Sequence, residues 1–196
     1  QAFACRTVYR IRRRFAVRIG QDGSLVLRCM EDTDVETMLR WLQDERLLKD
    51  YEGRDQHFDR AAVEEKFFSC KEEENMTACL FEEHGRPLGY LQFYPADPQE
   101  YGLEDAGPAY AADIFIGEVE WQGKGIGVRI LQLAAAYLEK ETAACRLVVD
   151  PRSENERAIR CYEKAGFRRV RVLPAHEKHE GKWRDCVLME KPLQHG

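Results

Sequence analysis

Residues 113–127 read Asp-Ile-Phe-Ile-Gly-Glu-Val-Glu-Trp-Gln-Gly-Lys-Gly-Ile-Gly. An apolar, strand-like run ends in a turn, and Gln122, Gly123, Lys124, Gly125, Ile126 and Gly127 open a helix. The first N–H groups of a helix lack intrahelical partners, and the aligned peptide dipoles favour negative charge there. Glycines at this point let a pyrophosphate approach the main chain closely. The spelling is neither Gly-x-Gly-x-x-Gly nor a loop closing in Gly-Lys-Ser/Thr, so the usual dinucleotide and nucleoside-triphosphate loops are excluded. What remains is a Gln-x-x-Gly-x-Gly loop that is either an anion site or a plain glycine-rich strand-to-helix turn.

The sequence after this helix is consistent with that reading. Residues 145–150 form a short β-branched run suited to a buried strand, and Pro151 stops it. Ser153 and Glu156 have capping-box spacing for a helix through Ala158, Ile159, Tyr162 and Ala165, with Gly166 placed to end it. Together, the glycine loop and the run from Asn155 through Arg157, Ala158, Tyr162 and Gly166 to Phe167 resemble the two signatures of the GNAT superfamily of acyl-CoA-dependent N-acetyltransferases. Within it, the sequence is most similar to the aminoglycoside 6′-N-acetyltransferases over about residues 25–190. Further residues carrying that similarity are Trp41, Leu42, Glu45, Arg46, Tyr51, Gly53, Asp113, Asp150, and a tail containing Pro174, His176, Glu177, His179 and Gly181.

The resemblance implies an α/β (α+β) fold: a central mixed sheet with splayed parallel strands, flanked by helices. It implies acetyl-CoA as the acetyl donor, contacted by Phe115, Ile116, Gly117, Gln122, Gly123, Lys124, Gly125, Ile126, Gly127, Asn155, Ala158 and Lys164. An ammonium must lose a proton before it can be acetylated, and Asp113 matches the position of the family's general base. Tyr162 matches the donor of a proton to the leaving thiolate. Tyr51, Glu52, Tyr101, Glu104, Asp105, Asp150 and Asp185, with Asp113 itself, are the residues expected to line a pocket for a cationic aminoglycoside. Acetylation of its 6′-amine would confer antibiotic resistance. A polyamine, a siderophore precursor or a protein amine is the alternative acceptor, and a non-catalytic acyl-CoA-binding module is an alternative of another class.

Charge narrows the partners. From residue 87 to residue 123 there is no Lys or Arg, while Asp97, Glu100, Glu104, Asp105, Asp113, Glu118 and Glu120 are acidic. Such a tract reads as an electrostatic trap for a polycation. The chain's formal net charge of −5 becomes more negative once the six arginines of residues 6–18 are set aside, which disfavours nucleic acid. Residues 1–24 read as a basic extension ahead of a domain at 25–196. It is either an extra strand, hairpinned across residues 21–24, or a vector or start-site remnant.

At 44% hydrophobic and 33% charged residues, 196 residues can bury one core without metals or disulfides. Seven scattered cysteines with no Cys-x-x-Cys pair read as reduced thiols in a cytoplasmic protein. His176 and His179 have helical ligand spacing but no third ligand nearby, so no metal is expected. No apolar run is long enough for a membrane span. A monomer and a homodimer are equally compatible with the sequence.

Elsewhere, Thr33 and Glu36 have capping-box spacing for a helix through Val35, Met38, Leu39 and Leu42. A second helix is expected from Asp59, with Val63, Phe67 and Cys70 inward. Residues 76–82 and 88–94 read as a hairpin, residues 95–111 as a long loop, and residues 174–182 as an insertion before a last strand.

Overall fold

The computed structural model describes residues 17–69, 76–103 and 107–195. Eight strands form one sheet: β1 (Arg18–Asp22), β2 (Leu25–Cys29), β3 (Thr77–Glu83), β4 (Arg86–Pro95), β5 (Ala109–Ile116), β6 (Arg146–Val149), β7 (Arg168–His179) and β8 (Lys182–Pro192). Their order is β1-β2-β3-β4-β5-β6-β8-β7. All neighbours are antiparallel except β5 and β6. The fold is thus the expected mixed α/β sheet flanked by helices.

Strand periodicity explains the layers. Successive side chains of a strand face opposite sides, and on β3 Cys79 and Phe81 enter one core while Ala78 and Leu80 enter another. The first core is closed by α5 (Ile126–Glu141), whose Ile130, Leu131, Ala134, Ala135 and Leu138 repeat at helical spacing, and by α6 (Glu156–Lys164). The second is closed by α1 (Val35–Trp41), α2 (Glu45–Leu48) and α3 (Arg60–Glu64), through Met38, Trp41, Leu47 and Val63. The small helix α4 (Pro98–Tyr101) adds Tyr101 to a third cluster at one end of the sheet. Fully burying a side chain such as Leu80 or Phe81 contributes about 1.5–3 kcal/mol, more than an exposed ion pair such as Arg160–Glu156.

The parallel pair is short. Ala109, Tyr110 and Ala111 pair with Arg146, Leu147 and Val148, and the ladder ends there. β5 continues along β4, with Asp113 opposite Gln92 and Ile116 opposite Gly89. β6 stays with β8 as far as Val149. The two central strands therefore part beyond Ala111.

Several local expectations are corrected. The α1 entry is not a Thr33 capping box: a 3₁₀ turn over Asp32–Asp34 precedes it, and the Asp34 carboxylate accepts from the Glu31 N–H at 2.8 Å. Helix α6 is capped by Asn155 rather than Ser153, because Asn155 Oδ1 accepts from the Ala158 N–H at 3.1 Å. Residues 174–182 are not an insertion; β7 runs on to His179 and pairs with β8, with a register slip between Leu173 and Glu177. The loop read at 95–111 contains α4 and the start of β5. The hairpin across residues 21–24 is present, whereas Cys70 and the arginines before residue 17 lie outside the described residues. Among the described residues no helix is long and apolar enough to cross a membrane.

The acidic tract is partly consumed by folding. Glu118 is buried and accepts from Trp41 Nε1 at 3.0 Å, from Arg40 at 2.5 Å and from Arg86 at 2.9 Å. Glu120 also meets Arg86, and Asp97 caps α4 through the Gln99 N–H. Cations distant in sequence thus neutralise part of a run that looks uniformly acidic. Burial raises the Glu118 pKa, but the hydrogen bonds from Trp41, Arg40 and Arg86 outweigh it and hold the group at about 2.

A depressed carboxyl pKa stabilises the fold above the unfolded value, and that contribution is lost as pH falls through the folded one. Glu118→Ala is therefore expected to cost about 1–3 kcal/mol at neutral pH, since it strands the buried Trp41 indole N–H and removes the partner of Arg40 and Arg86. The gap from wild type should shrink between about pH 4.5 and pH 2. Urea melts of both proteins across that range check it; a pH-independent gap would contradict it.

Candidate active site

The parting of β5 and β6 opens a groove on one side and a cavity on the other. The groove runs from the end of β5 at Ile116 to the start of α5, two points that the chain joins through a 3₁₀ turn at Val119–Trp121. Gly123 and Gly125 have φ of 76° and 82°, a region that strains residues with a Cβ. A Cβ at either would meet nothing within 4 Å, so both open onto free space. Gly125 is the N-cap of α5, and no side chain caps it, so the helix start presents its donors to the groove. Arg157, Arg160 and Lys164 of α6 line the other wall. Glycine main chain, an uncapped helix start and cations together fit a pyrophosphate-bearing ligand, as the resemblance to acetyl-CoA-dependent enzymes implies.

Most of the residues expected for the donor converge here: Phe115, Ile116, Gln122, Gly123, Gly125, Gly127, Asn155, Ala158 and Lys164. Three are not among the lining residues. Gly117 lies against the Trp41 indole, where a Cβ would come within 2.2 Å of the ring. Ile126 turns into the core, and the Lys124 ammonium sits 4.7 Å from the Trp121 ring centroid. Two others do structural work. Gln122 donates to the Ile116 carbonyl and accepts from Arg157, which in turn meets Asp50. A Cβ on Gly127 would lie 3.0 Å from Cys161 Sγ, so this glycine permits the close approach of α5 to α6.

The cavity has a volume of about 590 Å³ and shares Tyr51, Ile114, Asn155, Ala158 and Tyr162 with the groove. Asp113 lines the cavity, next in sequence to the shared Ile114. Its Oδ2 accepts from Gln92 Nε2 at 2.6 Å and from the Tyr94 hydroxyl at 3.3 Å, and Tyr90 donates to Gln92 behind them. Burial raises the Asp113 pKa, the Asp150 charge raises it further, and the hydrogen bonds from Gln92 and Tyr94 offset part of this; the result is about 6. Asp113 is therefore a carboxylate at neutral pH with substantial proton affinity, the condition for a general base. Burial also pushes the Tyr162 phenol well above its ordinary value, so it keeps its proton.

Of the residues expected around the acceptor, Tyr51, Glu52, Tyr101, Asp113 and Asp150 line the cavity. Glu52 is paired with Lys66. Asp185 is not at the cavity: its Oδ1 accepts from the Ala175 N–H at 2.8 Å, which fixes the β7 bulge. Glu104 and Asp105 lie outside the described residues. Sequence reading missed Gln92, Tyr94, Arg152 and His176, all of which line the cavity. Gln92 and Tyr94 were legible in principle, since polar residues two apart on an apolar strand share a face.

Arg152 and His179 form a buried clamp. Arg152 Nη1 lies 2.8 Å from His179 Nδ1 and 3.0 Å from Glu177, and Nη2 donates to the carbonyls of Lys49 and Asp50. A guanidinium only donates, so His179 Nδ1 must accept. Its Nε2 then carries the proton, 3.1 Å from the Lys49 carbonyl. Arg54 and Glu180 pair just beyond. These contacts hold the loop that brings Asp50, Tyr51 and Glu52 to the groove and cavity. The two histidines thus occupy different environments, and among the described residues no group of three or more His, Cys, Asp or Glu is placed to hold a metal.

A family model described as an acetyltransferase (GNAT) domain matches residues 31–174. Aminoglycoside N(6′)-acetyltransferase type 1 proteins of Klebsiella pneumoniae and Serratia marcescens are 28% identical over 160 residues, 80% of this chain and 80% of theirs. The structure of aminoglycoside acetyltransferase AAC(6′)-Ib in complex with coenzyme A and kanamycin superposes with a TM-score of 0.73 at 26% identity, covering 86% of this chain and 95% of that one. The N(6)-hydroxylysine O-acetyltransferase of Escherichia coli is 26% identical over 165 residues, 83% of this chain and 49% of its own. The chain belongs to the GNAT acetyltransferases. It is an acetyl-CoA-dependent N-acetyltransferase.

Two substitutions test this geometry. Gly125→Val is expected to abolish acetyl-CoA binding, because it strains a positive-φ position and puts a branched side chain into the groove. Calorimetry on the folded variant decides; wild-type affinity would mean that the phosphates sit elsewhere. Arg152→Ala is expected to raise KM for the acceptor about tenfold or more while acetyl-CoA affinity changes less, with a stability loss of about 3–5 kcal/mol if the buried partners stay unpaired. Steady-state kinetics with each substrate varied in turn checks the split.

Proposed function

We propose that the protein transfers an acetyl group from acetyl-CoA to the 6′-amine of an aminoglycoside, and so protects its host from these antibiotics. The observation that carries this reading is the half-buried Asp113 carboxylate, facing an acidic cavity that adjoins the donor groove. Asp50, Glu52, Glu100, Asp113, Asp150 and Glu177 line that cavity against Lys66, Arg152 and Lys178, and this excess of negative charge favours an acceptor bearing several cations. The aminoglycoside acetyltransferase relatives support the same choice.

The chain's own residues account for the steps. Asp113 takes the proton that the acceptor's ammonium must lose. Asp150 holds a second cationic group of the same acceptor. Acetyl-CoA supplies a thioester carbonyl open to attack. Backbone N–H groups near Ile116, beyond the end of the β5–β6 ladder, are suited to hold the carbonyl oxygen as it gains charge; donors of this kind contribute about 3 kcal/mol. The Tyr162 hydroxyl, still protonated, passes its proton to the departing sulfur.

One observation favours a second acceptor, hydroxylysine: the Escherichia coli relative that acetylates it. Rates with kanamycin, spermidine and N6-hydroxylysine at fixed acetyl-CoA separate the readings. The expected result is the highest kcat/KM with kanamycin. A higher value for either of the others would replace this proposal.

Asp113 carries its own prediction. Asp113→Asn is expected to lower kcat by about 10²–10⁴ with acetyl-CoA affinity nearly unchanged. Wild-type kcat/KM should fall on the acid side with a midpoint near 6, and the variant should lack that limb. The stability effect has the opposite sign from Glu118. A raised carboxyl pKa means that the folded state binds more protons between the unfolded and folded values, so stability falls as pH rises from about 4 to about 6. Thermal melts should therefore find Asp113→Asn more stable than wild type above pH 6 and equal to it near pH 4. Full activity in the variant at neutral pH would remove Asp113 from the mechanism.

A further inference from the structure

His176 reaches the cavity through a local distortion of β7. The β7–β8 register slips between Leu173 and Glu177, and bulges of this kind re-aim a side chain. Ala175 within the slip has φ of 49°, unfavourable for a residue with a Cβ. Asp185 holds it there by accepting from the Ala175 N–H. The next residue, His176, is turned into the cavity with its Nε2 3.1 Å from Asp150 Oδ2 and 3.7 Å from Glu100 Oε1. Its ring lies 5.9 Å from that of Tyr101. A strained backbone kept for one side chain points to a role for that side chain.

We propose that His176 is an acceptor-binding residue: its imidazolium holds the Asp150 carboxylate in the free enzyme, and an ammonium group of the acceptor takes its place as the imidazole gives its proton to solvent. The inference rests on the reading that the acceptor is cationic. The surroundings favour a cation at this point in the free enzyme. Asp150 at the end of β6, Glu100 and Tyr101 of α4, Tyr94 of β4, Asp113 of β5 and Glu177 of β7 face the region. Of the nearby cations, Arg152 is engaged by Glu177 and His179, and Lys178 lines the cavity from β7. The hydrogen bond to Asp150 outweighs partial burial and raises the His176 pKa, with the Asp150 and Glu100 charges adding to it.

Charge repulsion favours the exchange. An ammonium brought to Asp150 beside an imidazolium would set two cations against the same carboxylate in a partly desolvated cavity, where like charges repel, and Glu100, 3.7 Å from His176 Nε2, offsets only part of this. Loss of the His176 proton removes the repulsion. It also frees the Nε2 lone pair, which then accepts a hydrogen bond from the incoming ammonium. His176 and Asp150 thereby grip the acceptor together, leaving Asp113 for the reacting amine.

The test is calorimetric titration of kanamycin into the CoA-bound enzyme, wild type and His176→Gln, at pH 6, 7 and 8. Each titration is run in two buffers of different ionisation enthalpy, which counts protons released. Asp113 and the antibiotic's own amines titrate in both proteins, so the difference between them isolates His176. Wild type is expected to release more protons at pH 7 than the variant. The variant's affinity relative to the wild type's should be greatest at pH 6 and fall toward pH 8, by at most about tenfold per pH unit, the limit for competition with a single proton. Equal proton counts and a pH-independent affinity ratio would overturn the inference while leaving the substrate reading intact. Absence of kanamycin binding by wild type would overturn that reading, and this inference with it. An arm without acceptor follows the His176 ring resonances by NMR: their titration midpoint should lie above the ordinary imidazole range and fall in Asp150→Asn. A midpoint indifferent to Asp150 would also overturn the pairing.

Discussion

The site depends on the parting of two neighbouring strands. β5 and β6 share a ladder only through Ala111 and Val148, after which each keeps its outer partner, β4 or β8. A continuous parallel pair would close the interior and leave Asp113 an ordinary strand residue. Because the strands diverge, groove and cavity meet around Ile114 and Tyr162. Asp113 lies at the opening, buried enough to have a raised pKa yet held by Gln92 and Tyr94. Architecture and acid–base chemistry are here the same constraint.

The surrounding elements keep that opening in shape. Glycines at the start of α5 and the uncapped helix terminus form one wall, and the close approach of α5 to α6 at Gly127 and Cys161 sets its width. On the far side, the Arg152–His179 clamp ties the loop of Asp50, Tyr51 and Glu52 to the β7–β8 hairpin. The chain Gln122–Arg157–Asp50 then joins that loop to the glycine turn. Groove and cavity thus share one set of braces, so a change to the loop reaches both.

Much of this was legible in the sequence, because the features concerned are local. The glycine loop, the strand alternation and the helix positions follow from spacing, and Asp113 and Tyr162 from family resemblance. What failed were inferences about partners distant in the chain and about which residue caps a helix. The acidic tract looked like free charge, but Arg40 and Arg86 fold onto Glu118, and Asp97 is used as a helix cap. Asp185 looked like an acceptor contact, yet it fixes the backbone that aims His176. Ser153 had the spacing of a cap, but Asn155 took the role because the helix starts later. Arg152 gave no local signal, since its hydrogen-bond partners lie 25 to 103 residues away.

The most direct test of this account is the ionisation of Asp113 itself. Its side-chain carboxyl carbon can be followed by 13C NMR from pH 3 to pH 8 in the enzyme without acceptor, and assigned by its loss in Asp113→Asn. The account predicts a midpoint near 6. A midpoint at or below the ordinary aspartate value of about 4 would contradict it. It would mean that the parted strands leave Asp113 solvated, and that the proton of the attacking amine goes elsewhere.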